Sequence, residues 1–484
     1  MTSNPCPTET RASHPAHGYN DSYFGSFSVS GAKFVARECE LGYPNGMKLR
    51  RSSRAQGVFA TLTTFGLLAV AACSSNDASR TDAAGGQSAL EQAAGGAAGS
   101  AAGASSVPNP NNIAFLSGAI PDAQHLDVME TCPGGMRDAK RCIPDRVLAR
   151  PGVCYSGYRA SESPNTMRYP TEAEVKEDLG LLVRAGYSFI RLFDSSQHAQ
   201  TVLKVITDNG FDIKVQLGIW IAGSKSTSDA ANQIQISDGI ALATQYPDII
   251  VGISVGNETL DTWSSVLTDP ADLADYITQV RAGVTQPVAT DDLYPPFELG
   301  EGYQGVAAVF QAVDYLSVHI YAAIDASFGS WDYQELGFPA GPARAQATMS
   351  DALTYTKSSL QAVRQALVQQ NVDIPIVLGE AGWKSRVTDP TKVAEPAFSH
   401  EVNQQMFVNN LEAWVYGAGR DANSPAGAFY FEAFDEPWKT TDDGWGMFDT
   451  SRNAKYVMWS QFPELTPPNA MPYTSANAIY YQSP

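Results

Sequence analysis

Eight short apolar runs recur along the chain from residue 152 onward, and longer segments of helical periodicity lie between them. That rhythm is what most restricts the fold, because strands separated by helices pair in parallel. The runs occupy residues 152–156, 188–193, 213–218, 249–255, 287–290, 315–320, 374–379 and 427–431. The fifth, Pro287-Val288-Ala289-Thr290, is the weakest. In the first intervening segment Thr171 and Glu174 have the spacing of a capping box, and Gly186 is a stop after Leu179, Leu182 and Val183. Residues 352–368 form the clearest later helix, with Leu360, Val363 and Leu367 at helical spacing. Eight such units predict one α/β domain, a closed (β/α)8 TIM barrel. An open doubly wound sheet is the alternative, disfavoured because no Gly-rich loop follows the first strand.

The chain before the barrel reads differently. Residues 1–46 carry no periodic apolar pattern and are expected to be a non-structural extension ahead of the true start. Met47-Lys48-Leu49-Arg50-Arg51 is basic, and residues 57–72 are apolar and uncharged. That run is shorter than the ~20 residues a bilayer span needs, so residues 47–72 are expected to be a signal peptide. Its end, Leu68-Ala69-Val70-Ala71-Ala72-Cys73, resembles a bacterial lipobox. That resemblance implies cleavage before Cys73 and lipidation there. The expected location is the cell envelope, at the outer membrane or cell surface, with plain secretion as the alternative. Residues 73–119, rich in Ala, Gly and Ser, read as a flexible tether, 120–470 as the folded domain and 471–484 as a tail. Export permits a disulfide between Cys132 and Cys142. Cys154, inside a strand-like run, is expected to be a buried thiol.

A net charge of -19, from 51 acidic and 32 basic residues, argues against a nucleic-acid partner. A neutral ligand and a monomeric protein are expected. There is no His-x-x-x-His, Cys-x-x-Cys or Gly-x-Ser-x-Gly pattern, so no metal or cofactor is expected. Asp291-Asp292 is read as an acidic pair in a loop.

In a parallel barrel, the residues at the ends of the strands form the site. Here the fourth run ends in Gly256-Asn257-Glu258 and the seventh in Gly379-Glu380-Ala381-Gly382-Trp383. A charged group beside an apolar core is costly unless it is paired or used. Two carboxylates are the minimum equipment for glycoside hydrolysis, one protonated and one ionised. Asn257 suits a sugar hydroxyl. Arg191 in the second strand suits a carboxylate or a core ion pair, and Asp194 follows it. His319 and Tyr321 flank the sixth strand's end, with Tyr321 placed to donate to Glu380. Glu432, Glu436 and Lys439 follow the eighth. Trp220, Trp383 and Trp438 lead the candidates for stacking on a sugar face, with Tyr155, Phe193 and Tyr294 behind them.

Taken in order, these strand ends resemble glycoside hydrolase family 17, the β-1,3-glucanases and β-1,3-glucan transglycosylases. The resemblance covers roughly residues 150–460. It is carried by Gly152-Val153-Cys154-Tyr155, Ile190-Arg191-Leu192-Phe193-Asp194, Val255-Gly256-Asn257-Glu258, His319-Ile320-Tyr321, Gly379-Glu380-Ala381-Gly382-Trp383 and Phe434-Asp435-Glu436-Pro437-Trp438-Lys439. It implies Glu258 as acid/base, Glu380 as nucleophile, and retention of configuration. It also implies that Glu436 and Lys439 support the acid and that Tyr321 sits beside the nucleophile. The expected activity is laminarinase-like, endo-acting hydrolysis of a β-1,3-glucan, with a β-glucan polysaccharide or oligosaccharide as partner. The alternatives are a glucanosyltransferase and a non-catalytic carbohydrate-binding surface protein. The stretch 328–341 is expected to wall one end of the cleft.

Overall fold

The computed structural model describes residues 140–470, except 336, 388, 390, 391, 393–396 and 440–443. The expected extension, signal peptide, tether and tail, with Cys73 and Cys132, lie outside the described residues. Cys142 is held in a disulfide.

All eight expected strands form, and they close on one another. They are β1 (Gly152–Cys154), β2 (Phe189–Arg191), β3 (Lys214–Ile219), β4 (Ile250–Asn257), β5 (Val288–Leu293), β6 (Leu316–His319), β7 (Ile376–Ala381) and β8 (Ala428–Tyr430). Each pairs in parallel with the next, and β8 pairs with β1. This is the (β/α)8 barrel. Its strands read as near-continuous apolar runs because helices cover their outer face while the barrel interior covers the inner one. β4 illustrates this: of its residues only Val251 is not fully buried.

Local chemistry sets the helix ends. Helix Glu172–Arg184 starts in a complete capping box between Thr171 and Glu174. It ends where Gly186 takes φ 89° and the N–H groups of Gly186 and Tyr187 return to Val183 and Leu182. That pattern needs a left-handed residue, which glycine supplies without a steric penalty.

Two boundaries differ from expectation. The helix expected at 352–368 runs from Pro342 to Gln369. Its first turns bury Arg344, Ala345 and Thr348 rather than large aliphatic residues, so they lack the periodic signal. β5 continues through Asp291 and Asp292, which are not loop acids but buried strand residues. Aspartate disfavours strands, but here Asp291 is ion-paired with Arg191 and Asp292 accepts backbone N–H groups. Cys154 is a free, buried thiol, as expected.

Candidate active site

Arg191, the last residue of β2, projects into the barrel and is 1% exposed. Its Nε donates to Asp291 Oδ2 on β5 at 2.7 Å, and its Nη1 to Glu380 Oε1 on β7 at 2.5 Å. Nη2 donates to Asn257 Oδ1 on β4. The guanidinium also lies 4.7 Å from the ring centroid of Phe193. One buried cation thus ties three other strands together, and the fixed fork of Arg is what allows three directed bonds. Gln216 on β3 adds a donor to Asp291 at 3.2 Å and accepts from Tyr315 at 2.8 Å.

Above this layer stand Glu258 and Glu380. Glu380 accepts from Arg191 on one oxygen and from the Tyr321 hydroxyl on the other. Glu258 Oε1 lies 3.0 Å from His319 Nδ1. The Nε2 of His319 faces the other way, 3.7 Å from both Asp291 Oδ1 and Glu380 Oε1. β6 and β7 pair His319 directly with Glu380. The chain reaches this geometry through two left-handed residues, Gly256 at φ 87° and Glu258 at φ 51°. A non-glycine residue there is uncommon, and such conformations cluster at functional sites. The Glu258 N–H is anchored on the Asp291 carbonyl at 3.0 Å. Asp292, next in β5, fixes the following turn by accepting from the Thr259 and Leu260 N–H groups at 2.7 and 2.8 Å.

Electrostatics separate the groups. Burial raises the Glu258 carboxyl above the ordinary value; His319 and Arg191 oppose this, and the Glu380 charge adds to it. Burial pushes the His319 imidazole down, but Glu380, Asp291 and Glu258 together raise it to about 10, so it is an imidazolium at neutral pH. Asp291 is also pushed up by burial, yet Arg191 and His319 hold it well below the usual carboxylate range. Burial and the Glu380 charge keep the Tyr321 phenol protonated, well above its ordinary value. Glu258, His319 and Glu380 offer one potential ligand atom each, all within 4.8 Å of one another. That set already holds the positive imidazolium and abuts Arg191, which works against a metal cation.

Arg191, Asn257, Glu258, His319, Tyr321 and Glu380 therefore come together as the sequence suggested, with Phe193 against the arginine. Other candidates do not. Tyr155 is fully buried, and its hydroxyl donates to Asp178 at 3.1 Å, inside an ion-pair cluster with Arg159 and Arg452. Trp383 is fully buried between Phe398 and Phe407, with its Nε1 donating to the Phe398 carbonyl at 3.1 Å. Neither ring has a free face for a sugar. Asp194 accepts from its neighbour Ser196 at 2.7 Å, at the start of helix Gln197–Asn209. Glu436 pairs with Lys439 and accepts from Trp438 Nε1 at 3.1 Å, while the largest charge influences on Glu258 come from His319, Glu380 and Arg191. Glu432 belongs with Glu436 and Lys439. Trp220 and Trp438 are half-buried. Tyr294 meets Tyr355 hydroxyl to hydroxyl at 2.6 Å, and Tyr355 carries Trp331 of the stretch expected to wall the cleft. Sequence reasoning missed Asp291 and Gln216. The available signal for Asp291 was an acid directly continuing a strand-like run.

A closed parallel barrel with two glutamates facing each other at its strand ends, braced by an arginine and a tyrosine, is the architecture of a barrel glycoside hydrolase. Residues 152–448 match the BtgE/BtgC glycoside hydrolase domain, and the chain belongs to that family. The chain is 26% identical over 334 residues to a probable glucan endo-1,3-beta-glucosidase, btgC, of Aspergillus clavatus, covering 63% of this chain and 42% of the relative. It is 25% identical over 327 residues to the glucan endo-1,3-beta-glucosidase btgC of Emericella nidulans, covering 63% and 45%. The chain therefore spans less than half the length of these relatives. Among solved structures, an endo-laminarinase from Formosa Hel1_33_131 superposes with TM-score 0.60 at 26% identity, covering 67% of this chain and 90% of that one.

Proposed function

We propose that the protein is an endo-acting, retaining β-1,3-glucan hydrolase with Glu258 as acid/base and Glu380 as nucleophile. The observation that carries this reading is the spacing of the two carboxylates, whose facing oxygens lie within 4.8 Å. An inverting enzyme needs roughly 6.5–9.5 Å between them to seat a water, whereas a retaining one needs about 5–5.5 Å for direct attack. The relatives named as glucan endo-1,3-beta-glucosidases and the laminarinase support the linkage.

The groups divide the work by their surroundings. Glu258, raised by burial, begins as the neutral acid and protonates the glycosidic oxygen. Glu380, oriented by Arg191 and Tyr321, attacks the anomeric carbon and forms a glycosyl ester. Ester formation removes the Glu380 charge, one of the influences that hold Glu258 up. The Glu258 carboxylate left by the first step therefore stays ionised; it takes a proton from water, whose oxygen attacks the anomeric carbon and releases the Glu380 carboxylate. His319 stabilises Glu258 in its ionised form.

Incubation with laminarihexaose, followed by mass analysis and by NMR of the freshly released anomer, tests the reading. Shorter products released first as the β-anomer are expected. Products of the α-anomer would refute retention, and products longer than the substrate would make the enzyme a glucanosyltransferase. The lipobox-like Leu68-Ala69-Val70-Ala71-Ala72-Cys73 supports a further reading, anchoring at the cell envelope through Cys73. Cys73→Ala is expected to move the protein from the membrane to the soluble fraction, and a variant that stays with the membrane would refute the anchor.

A further inference from the structure

Glu258 enters the site through an irregular end of β4. From Ser254 to Asn257 the strand advances three residues while its neighbour β5 advances two, from Ala289 to Asp291. The extra residue makes a bulge that contains Gly256, at φ 87°, and Glu258 follows at φ 51°. Bulges re-aim side chains, and a glutamate in the left-handed region stays there only when its surroundings hold it.

Two residues of β5 supply that hold. The Glu258 N–H donates to the Asp291 carbonyl at 3.0 Å. The next two N–H groups, of Thr259 and Leu260, both donate to Asp292 Oδ2, at 2.7 and 2.8 Å. The other oxygen of Asp292 accepts from the Leu293 N–H at 2.9 Å, which ties the carboxyl to its own strand. Successive N–H groups at a turn form a concave anion-binding site, and here a side chain of the protein fills it. Thr259 and Asp292 are fully buried and Leu260 nearly so. Without Asp292 the two N–H groups would be buried and unpaired, which is unfavourable. The clamp also extends onward: the Thr259 carbonyl accepts from the Thr268 N–H at 2.7 Å, closing the loop before helix Pro270–Gly283.

An acid is an expensive way to build this clamp. Burial and the Glu258 charge push the Asp292 carboxyl up to about 8, against the His319 charge and the N–H groups of Leu260 and Leu293. A buried acid beside another acid is unfavourable unless it is paired or used. The use visible here is the backbone that carries Glu258. Among the described residues Asp292 makes no hydrogen bond to Glu380, Arg191 or Tyr321, so the clamp acts on one of the two glutamates only.

We propose that Asp292 is a positioning residue for proton donation: by binding the Thr259 and Leu260 N–H groups it holds Glu258 in the left-handed conformation that aims its carboxyl at the glycosidic oxygen. This rests on the β-1,3-glucan hydrolase reading.

The test compares two substrates on the same sample. Laminarihexaose needs a proton on its leaving group, whereas a dinitrophenyl laminaribioside does not. The parameter kcat/KM covers the steps up to departure of that group, and the ratio of the two values does not depend on how much of the sample is folded. In Asp292→Ala, kcat/KM on laminarihexaose is expected to fall about 10²-fold, the effect of a misplaced reacting group, and to fall far less on the dinitrophenyl substrate. Asp292→Asn keeps one oxygen for the two N–H groups and is expected to restore most of the ratio. In the unaltered protein labelled with 15N-leucine, the Leu260 N–H is expected to exchange with solvent as slowly as those of the strand residues Leu217 and Leu378. That readout does not require a variant to fold. A wild-type protein inert toward both substrates would sink the underlying reading. With an active wild type, an equal loss on both substrates in Asp292→Ala, no recovery in Asp292→Asn, or a Leu260 N–H that exchanges as fast as an open loop would sink the positioning role alone.

Discussion

His319 Nδ1 lies 3.0 Å from Glu258 Oε1 while the opposite ring nitrogen faces Glu380 and Asp291 at 3.7 Å. A buried imidazolium thus stands between the two carboxylates, and its charge lowers the pKa of the carboxyl that must donate a proton. Replacing His319 by Gln removes that charge, so the Glu258 pKa rises further. The alkaline limb of kcat/KM, which reports the acid in the free enzyme, is expected to move to higher pH. The peak rate is expected to fall by roughly 10²-fold from lost positioning. A limb that stays in place or moves to lower pH would show that His319 does not act on Glu258.

The same imidazolium makes stability depend on pH. Its pKa is about 10 in the folded protein against an ordinary 6.5. A raised pKa means that the folded state binds the proton more tightly. The stabilisation is therefore complete below about pH 6.5 and fades as pH climbs toward 10. Asp291 has the opposite sign: its depressed pKa stabilises the fold at neutral pH and is lost under acid. Thermal melts across pH are expected to fall on both flanks. In His319→Gln the decline between pH 6.5 and 10 should flatten, and an unchanged slope there would contradict the assignment.

Arg191 holds Asp291, Glu380 and Asn257 at once. Arg191→Met leaves two buried carboxylates without their cation, which costs about 3–5 kcal/mol of stability. Arg191→Lys keeps the charge but not the fork, and is expected to recover stability only in part while activity stays low. Urea denaturation and kcat measured side by side check this; a lysine variant with full activity would show that charge alone suffices.

What the sequence displayed, and what it hid, follows from how each group is neutralised. Glu258 and Glu380 were legible because each ends an apolar run, where an acid has no reason to sit unless it is used. Asp291 was hidden because its partner is Arg191, on a strand distant in sequence, and an Asp-Asp pair by itself signals a loop. Tyr155 was misassigned because a strand end does not reveal which way a side chain turns. Cys154 points into the barrel toward Arg191, so the next residue points out, toward Asp178 on helix Glu172–Arg184. Trp383 was misassigned because Phe398, which encloses it, lies in an irregular stretch that no periodicity places.

The two glutamates can be told apart chemically. Glu258→Ala is expected to lose about 10²–10⁴-fold in rate on polysaccharide, and much less on a substrate with a leaving group that needs no proton. Azide should then restore turnover and yield the β-glycosyl azide, because it attacks the intermediate from the face that water uses. Glu380→Ala should yield the α-glycosyl azide instead, since no intermediate forms. Identification of the azide anomers by NMR assigns both roles, and the reverse pattern would exchange them.

Gly379 shows how tightly the nucleophile's position is built. A Cβ at this residue would come no farther than 2.9 Å from Ser317 Oγ, Asp291 Oδ1 and His319 Cδ2. Asp291 is paired with Arg191 and His319 stands against Glu258, so neither can move without disturbing the ion pairs. Gly379→Ala adds one methyl group, and overpacking of this kind costs about 1–3 kcal/mol. The larger consequence is expected in catalysis, because the displaced groups are those that orient Glu380 and Glu258. A variant that melts only a few degrees lower but loses most of kcat, with KM little changed, would match a shift of the reacting carboxylates. A proportional loss of folded protein and activity, with kcat per folded molecule unchanged, would confine the role of Gly379 to packing.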